Sequence, residues 1–245
     1  RSVGGSVGVA MFGSISFLPL FLQVVGGVSA TNSGLLLVPY MVGMLGASVC
    51  AGQIVTRSGK YRVLPVTGTG IAVLGLALLS TMDSSTTRLQ SGVYMTILGV
   101  GLGLSMQVLV LATQNSVKVS DLGVATSSVN FFRSVGGSVG VAIFGALFNT
   151  RLTAELAGGA GAIQGTITPQ AIDALPATDK AVFIDAFATA LADVFLIAVP
   201  VMIVAFVLTW FLREIPLIAS SGQARALAQE GAVQETEVAA VALAS

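Results

Sequence analysis

The sequence predicts an all-α integral membrane protein, a bundle of six transmembrane helices. Only 9% of its 245 residues are charged, whereas soluble domains carry about a quarter, and its mean hydropathy is +0.93. Long uncharged runs follow one another over 2–56, 63–82, 89–117, 134–150 and 194–212. A helix needs about 20 apolar residues to cross the hydrocarbon core of a bilayer, and several of these runs reach that length.

The turn residues between the apolar runs set the limits of the helices. Gly and Asn residues over 26–33 favour a reversal of the chain, and a polar, charged segment over 57–62 ends the second helix. The membrane domain therefore covers 1–213. We expect its six helices at about 5–25, 34–55, 63–82, 91–113, 123–149 and 188–212.

Two segments fall outside the expected spans. The first, 150–187, is predicted to be an extracytoplasmic loop with short surface helices, because Thr168-Pro169 and Thr178-Asp179 are typical helix starts. The second, 214–245, is rich in Ala, Gln and Glu and is expected to be a flexible or loosely helical cytoplasmic tail.

The positions of Lys and Arg predict the orientation of the bundle, because short loops rich in these residues stay on the cytoplasmic side. If the loop over 57–62 lies inside, both ends of the segment also lie inside. The cations then divide as Arg1, Arg57, Lys60, Arg62, Lys118 and Arg213 inside against Arg88, Arg151 and Lys180 outside.

Composition also excludes several classes of function. The net charge is zero, so nothing indicates a nucleic-acid partner. The chain has no His and one Cys, Cys50, which excludes an internal disulfide and a Cys/His metal site. Its acidic residues lie in loops and at helix ends, where they form no set of nucleophile and base. We therefore expect no enzyme activity, no metal and no cofactor.

One repeat stands out along the chain. Arg1–Ala10 is identical to Arg133–Ala142, and Phe12-Gly13 again matches Phe144-Gly145. Inverted repeats of transporters pair elements three helices apart and are weak in sequence, whereas this match joins the first and fifth helices at full identity. It favours a recombination or truncation junction over an ancient structural repeat.

Arg133 is the strongest functional candidate. Ten residues after a helix start near Gly123 place it about 15 Å deep, where an Arg costs about 2.5–3.5 kcal/mol to insert. It therefore needs a polar cavity or a carboxylate partner, or else it packs between helices near the interface with its guanidinium reaching toward the headgroups. One helical face would carry Thr126, Asn130, Arg133, Gly137, Gly140 and Phe144.

Other polar and small residues have more ordinary interpretations. Gln107 either lines a substrate path or makes an interhelical hydrogen bond, and Gln114 and Asn115 are expected to cap the fourth helix. Asp193 is expected to be an interfacial carboxylate, with a proton carrier as the alternative. Helix packing is expected at the small residues Gly136, Gly137 and Gly140, at Gly4-xxx-Gly8 and at Gly99-xxx-Gly103.

The segment from Gly52 to Arg62 resembles the loop motif between the second and third helices of each half of the major facilitator superfamily. Gly52, Arg57, Gly59 and Lys60 match that motif, whereas Thr56 stands where the family has Asp. The resemblance implies a gating loop at Gly52, Arg57, Gly59 and Lys60. The charge relay of the motif is not expected in this half.

The order of further segments is similar to that of the fourteen-helix drug:proton antiporters in this superfamily. Phe17–Gln23 and Ser29–Pro39 look like their ninth and tenth helices, and Gly99–Gln107 and Asn130–Gly140 look like their twelfth and thirteenth. Leu212–Leu217 resembles the segment that closes the last helix.

This resemblance implies the C-terminal half of a bacterial cytoplasmic-membrane exporter. Such a protein expels amphipathic or cationic compounds in exchange for protons by alternating access. The family's main buried carboxylates lie in the N-terminal half, so we expect the proton-coupling residues outside this chain. The resemblance also implies three candidates for residues that line the substrate cavity, Gln107, Asn130 and Arg133.

On this interpretation the chain is incomplete on its own, and its partner is the missing half or another six-helix chain. Two alternatives stay open. The chain is either a noncatalytic membrane scaffold or partner subunit, or a six-helix transporter that works as a homodimer.

Overall fold

A computed structural model describes residues 16–58, 63–115, 117–157, 172 and 176–211. Every regular element in these ranges is helical, as the sequence predicts. A short 3₁₀ turn, Val119–Asp121, precedes the longest helix. The α-helices are α1 over 16–24, α2 Ala30–Leu36, α3 Val38–Ser58, α4 Val63–Leu79, α5 Arg88–Asn115, α6 Leu122–Ala157 and α7 Ala177–Trp210.

Four apolar stretches are long enough to cross a membrane. They are Thr31–Val55, Arg88–Gln114, Leu122–Leu156 and Thr178–Trp210, with 25, 27, 35 and 33 residues. Helix α4 is also apolar but has 17 residues, a length of about 25 Å at 1.5 Å per residue. The predicted repeat at Arg1–Ala10, Gly4-xxx-Gly8 and the tail over 214–245 lie outside the described residues.

The second predicted helix, 34–55, begins earlier and is broken near its start. Ser29 caps α2 because its hydroxyl accepts a hydrogen bond from the Asn32 backbone N–H at 3.4 Å. Leu37 then forms a turn before α3 resumes at Val38, next to Pro39, which lacks the backbone donor that a continuous helix would use. The turn into α2 contains Gly27 with a φ of 60°, a left-handed conformation that glycine adopts without strain.

The predicted loop over 150–187 was too long. Residues 150–157 still belong to α6, and 177–187 already belong to α7. These turns carry four charged residues, so the helices continue beyond the uncharged runs of the sequence, at Arg151, Glu155, Asp179 and Asp185. The helix start predicted at Thr178-Asp179 is confirmed, but it opens the long α7 rather than a short surface helix.

Helix α5 lies at the centre of the bundle, and its glycines allow close packing. A Cβ at Gly99 would overlap the Tyr40 carbonyl oxygen of α3, and one at Gly103 would overlap the Met44 carbonyl oxygen one turn further on. On the other side, a Cβ at Gly101 would overlap the Ala72 nitrogen of α4. The packing role predicted for Gly99-xxx-Gly103 is therefore confirmed.

The remaining helices join this centre through buried aromatic and polar contacts. Phe148 of α6 packs against Phe17 of α1 and Phe187 of α7, with ring centroids 5.7 and 5.0 Å apart. Buried Thr69 of α4 and Thr209 of α7 share a hydrogen bond of 3.1 Å. We call the end of the bundle where α3 ends and α4 begins the α3–α4 end, and the opposite one the α4–α5 end.

Polar contacts tie the helices together at the α4–α5 end. Arg88 donates to the Gly26 carbonyl oxygen at 3.2 Å, and Ser84 donates to the Asp185 carboxylate of α7 at 2.7 Å. In the α4–α5 turn, hydrogen bonds from the Ser85 and Thr86 side chains hold the pKa of Asp83 below its usual value. These contacts link the α4–α5 turn and the first residue of α5 to the neighbouring helices.

Candidate functional site

Arg133 lies on α6, 11 residues after the helix begins at Leu122, which is about 16 Å along its axis. Its side chain is partly buried. Nη2 donates to Asn130 Oδ1 at 2.9 Å, one turn earlier on the same helix, and Nη1 reaches the Met106 sulfur of α5 at 3.9 Å. The structure therefore brings Asn130 and Arg133 together, as their spacing predicts.

The face of α6 that carries Arg133 changes character along its length. Gly137, Gly140 and Phe144 are buried toward the α4–α5 end, whereas Arg133 is partly exposed and Asn130 is exposed toward the α3–α4 end. The same face of α6 is therefore buried near the α4–α5 end and exposed near the α3–α4 end. The predicted common face therefore packs along one half and opens along the other, while the packing role of Gly136, Gly137 and Gly140 stays a prediction.

Gln107 follows Met106 on α5, so its side chain points about 100° around the helix axis from the Met106 side chain that contacts Arg133. Its Oε1 accepts a hydrogen bond of 3.3 Å from the Ser48 hydroxyl of α3, a partner that the sequence did not suggest. The interhelical hydrogen bond expected for Gln107 is thus present, and its side chain is exposed, while its role in lining a substrate path stays a prediction. Nothing in the spacing along the chain links Ser48 to a residue 59 positions later.

Gln107 also borders a groove between α3 and α5 with a volume of about 350 Å³. Its walls are apolar apart from two amides. The lining residues are Val49, Gly52, Gln53, Val55, Gln107, Val108 and Leu111. Pockets of roughly 300–1,000 Å³ with apolar walls and a few polar groups are typical of small-molecule sites.

These contacts lie at one level of the bundle, because Met106 and Gln107 are consecutive on α5. Two turns nearer the α3–α4 end, Gln114 Nε2 donates to the Thr126 hydroxyl of α6 at 3.2 Å. Gln114 was predicted to cap the fourth helix, but a side chain that can reach a hydroxyl on the neighbouring helix bridges α5 and α6 instead. This hydrogen bond thus joins α5 and α6 two turns from Arg133, on the side of the α3–α4 end.

The predicted gating loop is described in part. Gly52 lines the groove, and Arg57 is exposed in the last turn of α3. Gly59 and Lys60 lie outside the described residues. The structure places Gly52 beside Gln107, a proximity that the loop motif alone does not predict.

The acidic residue expected at an interface, Asp193 on α7, forms an ion pair with Arg151 of α6. The Arg151 Nε and Asp193 Oδ2 atoms are 3.5 Å apart, and both side chains are partly exposed. Arg151 lies 18 residues beyond Arg133, about 27 Å along α6. This pair is therefore separate from the Arg133 site.

The chemistry available at the site is binding rather than bond making. Within the described ranges, no group of three or more His, Cys, Asp or Glu residues is arranged to hold a metal ion. Two polar groups flank Met106 and Gln107 of α5, the Arg133–Asn130 pair of α6 on one side and the hydroxyl and carboxamides of Ser48, Gln53 and Gln107 at the groove. These groups orient and neutralise a ligand through hydrogen bonds and charge.

Comparison with known families and sequences gives a consistent picture. The sequence profile of the Major Facilitator Superfamily matches residues 3–141. An uncharacterized MFS-type transporter of Mycobacterium tuberculosis is 45% identical over 215 residues, which cover 86% of this chain and 31% of that protein.

Two further relatives have more specific names. The multidrug transporter protein MdtP of Bacillus subtilis is 34% identical over 88% of this chain and 45% of its own length. A tetracycline resistance determinant of Streptomyces rimosus is 31% identical over 87% of this chain and 71% of its own length. The chain thus spans less than half of the Mycobacterium and Bacillus relatives.

A solved structure shares the fold. The crystal structure of the Escherichia coli fucose:proton symporter superimposes with a TM-score of 0.67, covering 88% of this chain and 48% of the symporter, at 17% sequence identity. At this identity the similarity concerns the fold alone. The predicted six-helix bundle is therefore confirmed as an arrangement that fills about half of a larger transporter fold.

Proposed function

This chain belongs to the major facilitator superfamily, whose members are transporters and not enzymes, and we propose that it is the C-terminal half of a proton-coupled exporter of small amphipathic molecules. The observation that supports this proposal is the hydrogen-bonded Arg133–Asn130 pair against Met106, next to Gln107 and the apolar groove that it lines. Two relatives, the multidrug transporter of Bacillus and the tetracycline resistance determinant of Streptomyces, support export of small molecules.

The working cycle that we propose is alternating access. This half and a second six-helix half would rock about a shared cavity, with the substrate held between them near the middle of the membrane. Gln107, Asn130 and Arg133 would face this cavity from α5 and α6. The proton-binding carboxylates would belong to the other half, because the Arg133 site itself contains no carboxylate among the described residues.

The protein would reside in the bacterial cytoplasmic membrane as a multi-pass protein with its α3–α4 end inside. The exposed Arg57 in the last turn of α3 supports this orientation, since short basic loops stay on the cytoplasmic side. Both ends of the segment would then be cytoplasmic.

Transport in inverted membrane vesicles tests the function. Vesicles that contain the complete transporter with this segment are energised with a proton gradient that is acidic inside. The accumulation of fluorescent amphipathic dyes is then recorded. Accumulation should stop when a protonophore collapses the gradient. A membrane scaffold, the competing hypothesis, would leave dye levels equal in vesicles with and without the protein.

For the gating loop, we propose that Arg57 and Lys60 hold the cytoplasmic end of α3 during the transport cycle. Replacing Arg57 and Lys60 together by alanine is expected to slow dye transport several-fold while the amount of inserted protein stays the same. The measurement is the initial transport rate per inserted protein in the same vesicles. A normal rate would reduce these cations to signals of membrane topology.

A further inference from the structure

Arg133 is a membrane-level cation without a counter-ion in the described chain. Its guanidinium has five N–H donors, and its hydrogen bonds go to one amide oxygen and one sulfur, both uncharged. The nearest charged residues along the chain are Asp121 and Arg151, 12 and 18 residues away, and Arg151 is paired with Asp193. A cation in this position needs an anion from elsewhere.

The polar groups near Arg133 also favour a negatively charged ligand. Gln107 and Gln53 are neutral, and Asn130 already uses its oxygen to hold the guanidinium, which leaves its amide N–H groups to donate. Gln107 likewise uses its oxygen to accept from Ser48. The hydrogen-bonding groups that Arg133, Asn130 and Gln107 leave for a ligand are therefore mainly N–H donors, which bind acceptor-rich and negatively charged groups.

The α3–α5 groove supplies room for an apolar body beside this donor cluster. Met106 contacts Arg133 and the next residue, Gln107, lines the groove, so the cation and the groove lie on adjoining sides of α5, about 100° apart around its axis. The groove holds about 350 Å³, enough for two fused or linked aromatic rings. Valine and leucine side chains form most of its surface.

We propose that the site binds amphipathic anions, with an oxyanion such as a carboxylate, sulfonate or enolate at Arg133 and the apolar part in the α3–α5 groove. This inference rests on the proposed export function and names its substrate class. It replaces the cationic class that the family resemblance implies, because a cationic ligand would be repelled by Arg133 and would meet no described carboxylate in the contacts of Arg133 or the lining of the groove.

Two dyes with the same skeleton test the sign of the charge. 8-Anilinonaphthalene-1-sulfonate carries a sulfonate, and N-phenyl-1-naphthylamine is its neutral parent. Their affinities are measured by competition with one radiolabelled dye on the purified full polypeptide in uncharged detergent, which removes anionic lipid as a competing ligand. We expect the sulfonate to bind at least tenfold more tightly than the parent, since charge-assisted hydrogen bonds exceed neutral ones.

Three variants decide whether Arg133 is responsible. Arg133→Gln should bring the affinity ratio close to one, Arg133→Lys should keep most of it, and Arg151→Gln, which removes a cation outside the site, should leave it unchanged. A wild-type ratio near one overturns the proposal even if no variant folds. So does a ratio that survives Arg133→Gln, the result expected if a carboxylate of the other half already neutralises Arg133.

The affinity ratio tests the anion site and the transport assay tests the exporter, so the two proposals can fail separately. Proton-driven accumulation of both dyes without preference for the sulfonate would overturn the anion site and leave the exporter standing. A tenfold preference that follows Arg133, in a protein that accumulates neither dye, would support the anion site and overturn the exporter.

Discussion

Replacing Arg133 by alanine is expected to reduce efflux at least tenfold and to leave membrane insertion intact. The change removes a charge-assisted hydrogen-bond donor whose loss costs about 1.5–3 kcal/mol, and each 1.4 kcal/mol corresponds to a factor of ten in affinity. Insertion should not suffer, because removing an Arg from a transmembrane helix saves about 2.5–3.5 kcal/mol on insertion scales. Drug resistance of cells that express the complete transporter measures the effect.

The matched control for this variant is Arg151→Ala. Arg151 lies on the same helix and also carries a charge, but it is partly exposed and paired with Asp193 away from the site. Its replacement should alter stability by no more than about 1 kcal/mol, as is usual for exposed ion pairs, and should preserve efflux. Unchanged resistance in cells with the Arg133 variant would mean that the guanidinium only packs between helices.

Replacing Gly103 by alanine is expected to destabilise the helix bundle by about 1–3 kcal/mol, the usual range for overpacking a close contact. The added methyl group would overlap the Met44 carbonyl oxygen, which belongs to the α3 backbone and cannot turn aside as a side chain can. Helix α3 would have to move away from α5, which would also widen the groove at Gln107. Thermal unfolding of the purified protein in detergent measures the loss.

Gly34→Ala provides a control of opposite sign. Gly34 is also helical, but no atom lies within 4 Å of the position where its Cβ would stand. Alanine favours a helix over glycine by up to about 1 kcal/mol, so this variant should be as stable as the wild type or slightly more stable. If both variants melted at the same temperature, the close α3–α5 packing would not contribute to stability.

Much of the fold could be predicted from the sequence, because the thickness of the membrane sets the length of an apolar run that spans it. The uncharged runs located the described spans, and Gly99-xxx-Gly103 correctly indicated a close helix contact. Helix ends were less accessible. Residues 150–157 and 177–187 include charged side chains yet are helical, and backbone hydrogen bonding continues a helix past the end of an uncharged run.

At the candidate site, contacts within one helix can be predicted from the sequence, but few contacts between helices can. The three-residue spacing of Asn130 and Arg133 placed them on one face, and the structure joins them. The partners Ser48 and Met106 lie on α3 and α5, and only the packing of three helices brings them to the same level. Gln114 was misassigned for the same reason, since Thr126 is a neighbour only after α6 folds back along α5.

The central claim is that the face of α6 carrying Asn130 and Arg133 borders a water-filled substrate cavity. An Asn130→Cys variant of the complete transporter, made in a Cys50→Ala background, tests it with a membrane-impermeant methanethiosulfonate reagent. A control cysteine at Val204 occupies an exposed position in the uncharged stretch of α7. Our account predicts rapid labelling at position 130, slowed by 8-anilinonaphthalene-1-sulfonate, and none at 204. Labelling at 130 as slow as at 204 would contradict it.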